Sequence, residues 1–168
     1  MPFGAISLCK FVGTISLGLL TGTSLTHSTL TLPALLSLPS APLASTTLST
    51  LQARSKTLTS SLRHITTFTL FTAYLLSPRR ARHPYLLYTS IFAFLSGPGV
   101  DAVVGMVRGG KAGERERLER EASGSVDEIN GEGVREEVER VRVVEAWRAG
   151  VSAVAWGMVV VGIWGDGA

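Results

Sequence analysis

The feature that most constrains this 168-residue chain is a series of four apolar runs, each about as long as a bilayer-spanning helix. They occupy residues 5–26 (AISLCKFVGTISLGLLTGTSLT), 58–77 (LTSSLRHITTFTLFTAYLLS), 84–107 (PYLLYTSIFAFLSGPGVDAVVGMV) and 147–165 (WRAGVSAVAWGMVVVGIWG). A helix needs about 20 mostly apolar residues to cross ~30 Å of hydrocarbon, where every backbone polar group must find its partner within the helix. The expected fold is therefore all-α: a multi-pass transmembrane helical bundle with four spans. Lys10 lies near one end of the first run, where its stem reaches the headgroups. Arg63 and His64 shorten the clean part of the second, which makes it the weakest. The third contains a Gly-Pro-Gly break and Asp101. The fourth is the clearest.

The charge distribution agrees. Charged residues make up 17% of the chain, below the roughly 25% of a soluble domain, and mean hydropathy is +0.29. Residues 11–53 carry no charged side chain. Residues 108–145 hold eight basic and eleven acidic residues, and the rest of the chain holds eight basic residues against Asp101 and Asp166. The pI of 9.4 does not point to nucleic acid, because the cations flank apolar runs instead of forming one exposed stripe. They read as anchors at a membrane interface, and the lipid bilayer is the expected partner.

Three connectors join the runs. Residues 28–57 are rich in Ser, Thr, Leu and Pro; Pro33, Pro39 and Pro42 argue against a continuous helix, so a linker at the interface is expected. Residues 78–83 read as a tight basic turn: Pro78 ends the second helix and Pro84 suits the first turn of the third. Residues 108–146 form the one large polar segment, a partly helical charged loop. Glu116 with Arg120 and Glu136 with Arg140 have favourable i,i+4 spacing. Val134, Val138, Val141 and Val144 form a narrow apolar stripe that suits either a solvated helix or a partner-docking one. Ser125, followed by Val126, Asp127 and Glu128, is an acceptable site for an acid-directed kinase; a phosphate there would add about 1.5 to 2 negative charges. With four spans both termini and the basic turn lie on one side of the membrane, and the charged loop lies on the other.

Little in the chain suggests reaction chemistry. Gly105, Gly110 and Lys111 fit a phosphate-binding loop, but Ala112 replaces the hydroxyl that would hold magnesium, so a glycine hinge leaving the membrane is expected. His27, His64 and His83 are scattered without metal spacing. Cys9 is the single cysteine and has no catalytic signature around it. No catalytic, cofactor-binding or metal-binding residues are expected, and no enzymatic activity. Asp101 stands out, since an ionisable residue within a span is costly. Either Arg63 or Arg148 would be its partner, or it lies at the membrane boundary. Small residues spaced by four, Gly18 with Gly22 and Ala149 with Ala153 and Gly157, suit close helix packing or a homo-oligomer.

The heptapeptide Arg82, His83, Pro84, Tyr85, Leu86, Leu87, Tyr88 resembles a signature of the fungal autophagy-related protein 33 family. Two shorter echoes stand in the same order: SLGLLTG at residues 16–22 and GIWGDG at residues 162–167. The resemblance implies a multi-pass protein of the mitochondrial outer membrane that promotes selective autophagy of mitochondria without catalysis, with the selective-autophagy machinery as partner. Two other functions fit the hydropathy: a small transporter with Asp101 and Arg63 along its polar path, and a structural protein that organises membranes through small-residue helix faces.

Overall fold

The computed structural model describes residues 2–78, 82–107 and 131–165. The described residues are all-α, with no strand among them. In chain order the helices are α1 (Pro2–Thr26), one π-helical turn (His27–Thr31), α2 (Leu32–Leu35), α3 (Ala41–Leu76), α4 (Tyr85–Leu95), α5 (Pro98–Val107) and α6 (Gly131–Gly165).

Local chemistry explains why so much Ser- and Thr-rich sequence is helical. Hydroxyls fold back onto carbonyls of the preceding turn: Thr14 donates to Lys10 O, Thr21 to Leu17 O, Thr46 to Pro42 O and Thr50 to Thr46 O, at 2.7–2.9 Å. Each such bond satisfies the hydroxyl inside its own helix. The structure therefore differs from the linker expected over residues 28–57. Pro42 lies in the first turn of α3, where the missing N–H costs nothing, while Pro33 follows the π turn in backbone that is helical on both sides. Only residues 36–40, around Pro39, interrupt the helices. The π turn ends two residues before Pro33, with Leu32 N–H donating to His27 O. A widened turn relieves the ladder just ahead of a residue that cannot continue it.

Four helices form an antiparallel bundle in which α1 and α4 each pack on both α3 and α6. Its core joins Leu17 and Leu20 of α1, Leu70 and Ala73 of α3, Leu86 and Ala93 of α4, and Ala155 and Val159 of α6. Buried hydroxyls sit beside them, including Ser16, Thr66, Thr89, Ser90 and Ser152. The large apolar side chains face outward instead: Leu8, Phe11 and Leu19 on α1, Phe68 and Phe71 on α3, Ile91 and Phe94 on α4, Val154, Val161 and Trp164 on α6. Hydroxyls buried beside leucines inside, with a continuous large apolar face outside, depart from the pattern of a water-soluble bundle, whose outer face is polar.

The long helices continue past this bundle. The first halves of α3 and α6 meet α2 in a second cluster of Leu32, Leu35, Leu48 and Val138, flanked by Leu38, Leu51, Val134 and Val141. The valine stripe of residues 134–144 is thus largely covered by the chain itself. Arg140 pairs with Glu137 and Arg142 with Glu139, each at 3.4 Å and one turn apart; the pair expected between Glu136 and Arg140 is replaced by the closer i,i+3 neighbour. The expected pair of Glu116 and Arg120 lies outside the described residues.

Two stretches are long and apolar enough to cross a membrane, Gly4–Leu35 and Gly131–Gly165. Tyr85–Leu95 and Pro98–Val107 make a third if the pair counts as one span, although a bend of 53° separates them. The run at residues 58–77, expected as a span, is not among these stretches: Arg63, His64 and many hydroxyl residues dilute its hydropathy. Trp147 and Trp164 are both exposed and lie ~26 Å apart along α6, the spacing of two aromatic belts.

Candidate functional site

Two constellations gather the residues singled out in the sequence. The first is a charged cluster where α4 bends into α5. The stretch Ser96–Gly97–Pro98 breaks the helix, since Pro98 cannot donate to the ladder. The bend brings Asp101, in the first turn of α5, to Arg148 of α6. Arg148 Nη2 donates to Asp101 Oδ1 at 2.5 Å, and Nη1 donates to Glu145 Oε1 at 2.6 Å. One guanidinium therefore ties α5 to α6 through two carboxylates. Arg63 of α3 approaches from the other side, its guanidinium lying against Gly97 where any side chain would collide with it.

Exposure ranks these groups. The Glu145 side chain is 11% exposed, Arg148 23% and Asp101 56%. The Arg148–Glu145 pair is mostly withdrawn from solvent, so removing one member leaves an uncompensated charge. The Asp101 arm is half open, and its worth is correspondingly smaller. Glu145 Oε2, Arg63 Nε and Arg148 Nε are buried without a hydrogen-bond partner among the described residues. Of the two arginines expected as partners of Asp101, Arg148 makes the contact. Glu145 was not singled out in the sequence because it lies in the charged segment, where one more carboxylate is unremarked; its spacing of three from Arg148 on a shared helix is the signal that would have found it.

The second constellation is the basic turn at the opposite end of the bundle. Arg82 donates to Leu75 O at 3.2 Å, near the end of α3, and lies over the Tyr74 ring at 5.0 Å. Pro84 caps α4, with Leu87 and Tyr88 N–H both donating to its carbonyl. His83 sits 6.1 Å from the Tyr85 ring, and Lys10 of α1 lies over that ring at 5.9 Å. Tyr85 also packs on Gly162 of α6, where an added Cβ would fall 2.5 Å from the ring. Leu86 is fully buried, Leu87 is partly covered, and Tyr88 is exposed. Residues 82–88 thus join α1, α3, α4 and α6 at one level, and Gly162 of the C-terminal echo is part of the contact. Gly18, in the first echo, faces Trp156 Nε1 lower in the bundle. These residues shape packing.

The remaining features do not converge. Among the described residues no three His, Cys, Asp or Glu side chains gather into a group that could hold a metal ion. Cys9 is partly buried beside the bundle core. Gly105 lies within α5, while Gly110, Lys111 and Ala112 fall outside the described residues, as does Ser125.

Fold and site together define an all-helical protein with two or three helices fit to cross a membrane, locked by one buried ion-pair cluster and one aromatic junction. Comparison with known proteins gives the family. Residues 4–123 match the family model of autophagy-related protein 33. The chain is also 42% identical to the autophagy-related protein 33 of Gibberella zeae, over 98% of this chain and 93% of that protein. The chain belongs to the autophagy-related protein 33 family. No solved structure matches it.

Proposed function

We propose that this protein is a non-enzymatic membrane factor of mitochondrial autophagy, anchored in the mitochondrial outer membrane by four helices and displaying its charged segment to the selective-autophagy machinery. Membership of an autophagy-related family is the observation that carries this reading. The fourth span is α3 over residues 58–77. Its support is positional: it packs on α1 and α4 in the middle of the bundle, and its outward side chains, Ile65, Phe68, Phe71 and Leu75, are as apolar as those of its neighbours. A bundle held in lipid fixes where the polar halves of α3 and α6 and the segment between α5 and α6 stand, so the protein works by presentation. Assembly into a homo-oligomer is part of the proposal.

The test is deletion of the gene, with delivery of a mitochondrial matrix reporter to the vacuole followed under starvation and in stationary phase. Reduced delivery, restored by the wild-type chain, is expected. Unchanged delivery in both conditions contradicts the proposal.

A second reading, a small transporter, is favoured by Arg63 Nε and the Thr66 and Thr67 hydroxyls, which are buried inside the bundle with no hydrogen-bond partner among the described residues. Replacing Arg63 and Asp101 together with apolar residues then abolishes solute flux in reconstituted vesicles while insertion persists.

A further inference from the structure

The geometry points to a binding groove for an anionic phospholipid on the flank of α3, with its phosphate held between Arg54 and His27. The inference rests on residues 58–77 being a span.

The groove, ≈ 480 Å³, lies between the π turn and the first half of α3, and His27, Thr46, Thr50, Leu51, Arg54 and Leu58 line it. Its charge is one-sided. Residues 1–100 contain no Asp or Glu, and among the described residues neither Arg54 nor Lys56 forms an ion pair. The nearby acidic half of α6 spends Glu137 and Glu139 on its own arginines. His27 Nδ1 is buried and has no hydrogen-bond partner among the described residues. Arg54 and His27 thus line one groove, and among the described residues no ion pair neutralises Arg54 and no hydrogen bond satisfies the His27 nitrogen. A phosphate does both.

Depth selects a lipid over other phosphates. If hydrocarbon begins at residue 58, Arg54 stands ~6 Å outside it. That is the level of the headgroup layer, which adds roughly 5–8 Å on each side of the apolar core. His27 directly follows the first apolar run and arrives at the same level from the antiparallel helix α1. The lining suits an amphiphile. Leu51 and Leu58 are apolar, and the hydroxyls of Thr46, Thr47, Thr50 and Ser55 donate to their own helix, which leaves Arg54 and His27 as the donors. The acyl chains leave over exposed Leu58 toward Ile65 and Phe68 on the outer face of the bundle.

The experiment is native mass spectrometry of the full-length protein released from nanodiscs of phosphatidylcholine containing phosphatidic acid. The wild type is expected to retain phosphatidic acid over phosphatidylcholine. Arg54→Gln is expected to lower that retention about tenfold, the loss of one charge-assisted contact, and His27→Gln to lower it by a smaller factor. Arg140→Gln removes the same charge elsewhere in the extension and is expected to change nothing. Equal retention of both lipids by the wild type, full retention by Arg54→Gln, or displacement of the lipid by an equal concentration of soluble glycerol phosphate overturns the assignment. Labelling of a single cysteine at Phe68, in a Cys9→Ser background, with a charged maleimide separates the two readings. Rapid labelling before detergent refutes the span; protection without lipid preference refutes the groove alone.

Discussion

The two halves of α3 and of α6 belong to the same continuous helices, yet they are built by opposite rules. In the bundle half the interior mixes leucine and alanine with buried hydroxyls, while Phe68, Phe71, Val154 and Trp164 face out. In the other half of α6 Arg140, Arg142 and Glu139 face out and Val138 faces in, against Leu32, Leu35 and Leu48. Helix propensity is common to both halves, so what changes is the solvent each outer face is made for. The charged cluster of Arg63, Asp101, Glu145 and Arg148 stands where one rule gives way to the other. A buried ion pair there joins an apolar helix surface to a polar one without leaving either carboxylate unpaired.

The strongest way to break this arrangement is Arg148→Met. It strands Glu145 and is expected to destabilise the protein by about 3 kcal/mol or more, read as a fall in melting temperature in detergent. The double variant Glu145→Met with Arg148→Met removes both charges and should recover much of that loss, which would separate a stranded charge from a packing defect. In the bundle, Gly162→Val pushes into the Tyr85 ring and should cost about 2 kcal/mol. Adding Tyr85→Ala should relieve part of it, a coupling visible in a double-mutant cycle. In the polar half, Val138→Ala should cost about 1.5 kcal/mol, and hydrogen exchange should show the loss confined to residues 32–51 and 131–141 while the bundle keeps its protection. Smallest is Glu139→Gln, which breaks an exposed pair and should shift stability by less than ~0.5 kcal/mol.

Much of this contrast was legible in the residues, and the reasons for the rest are physical. The helical class and the ends of the hairpin at Pro78 and Pro84 follow from hydropathy and from proline's missing donor. Arg148 was a named candidate for Asp101 because an intramembrane acid needs a cation. The valine stripe was visible too, but its cover was not: Leu32, Leu35 and Leu48 lay in a stretch that three prolines seemed to exclude from helix. Proline at a first turn and proline inside a helix look alike until the helix start is known. The bend between α4 and α5 was marked by Gly-Pro-Gly, yet the pairing of Asp101 with Arg148, forty-seven residues later, is a tertiary contact that no local pattern announces. Glu145 was hidden among eleven acidic residues of one segment, and only tertiary structure tells a buried one from its solvated neighbours.

The central claim is that the outer face of the bundle meets lipid while the outer face of the polar half meets water. Single cysteines at Phe68, Val161, Arg135 and Arg140, in a Cys9→Ser background, can be treated with a charged maleimide in membranes opened by freezing and thawing. The account predicts rapid labelling at positions 135 and 140 and little at 68 and 161 until detergent is added. Equal labelling at all four positions before detergent would contradict it.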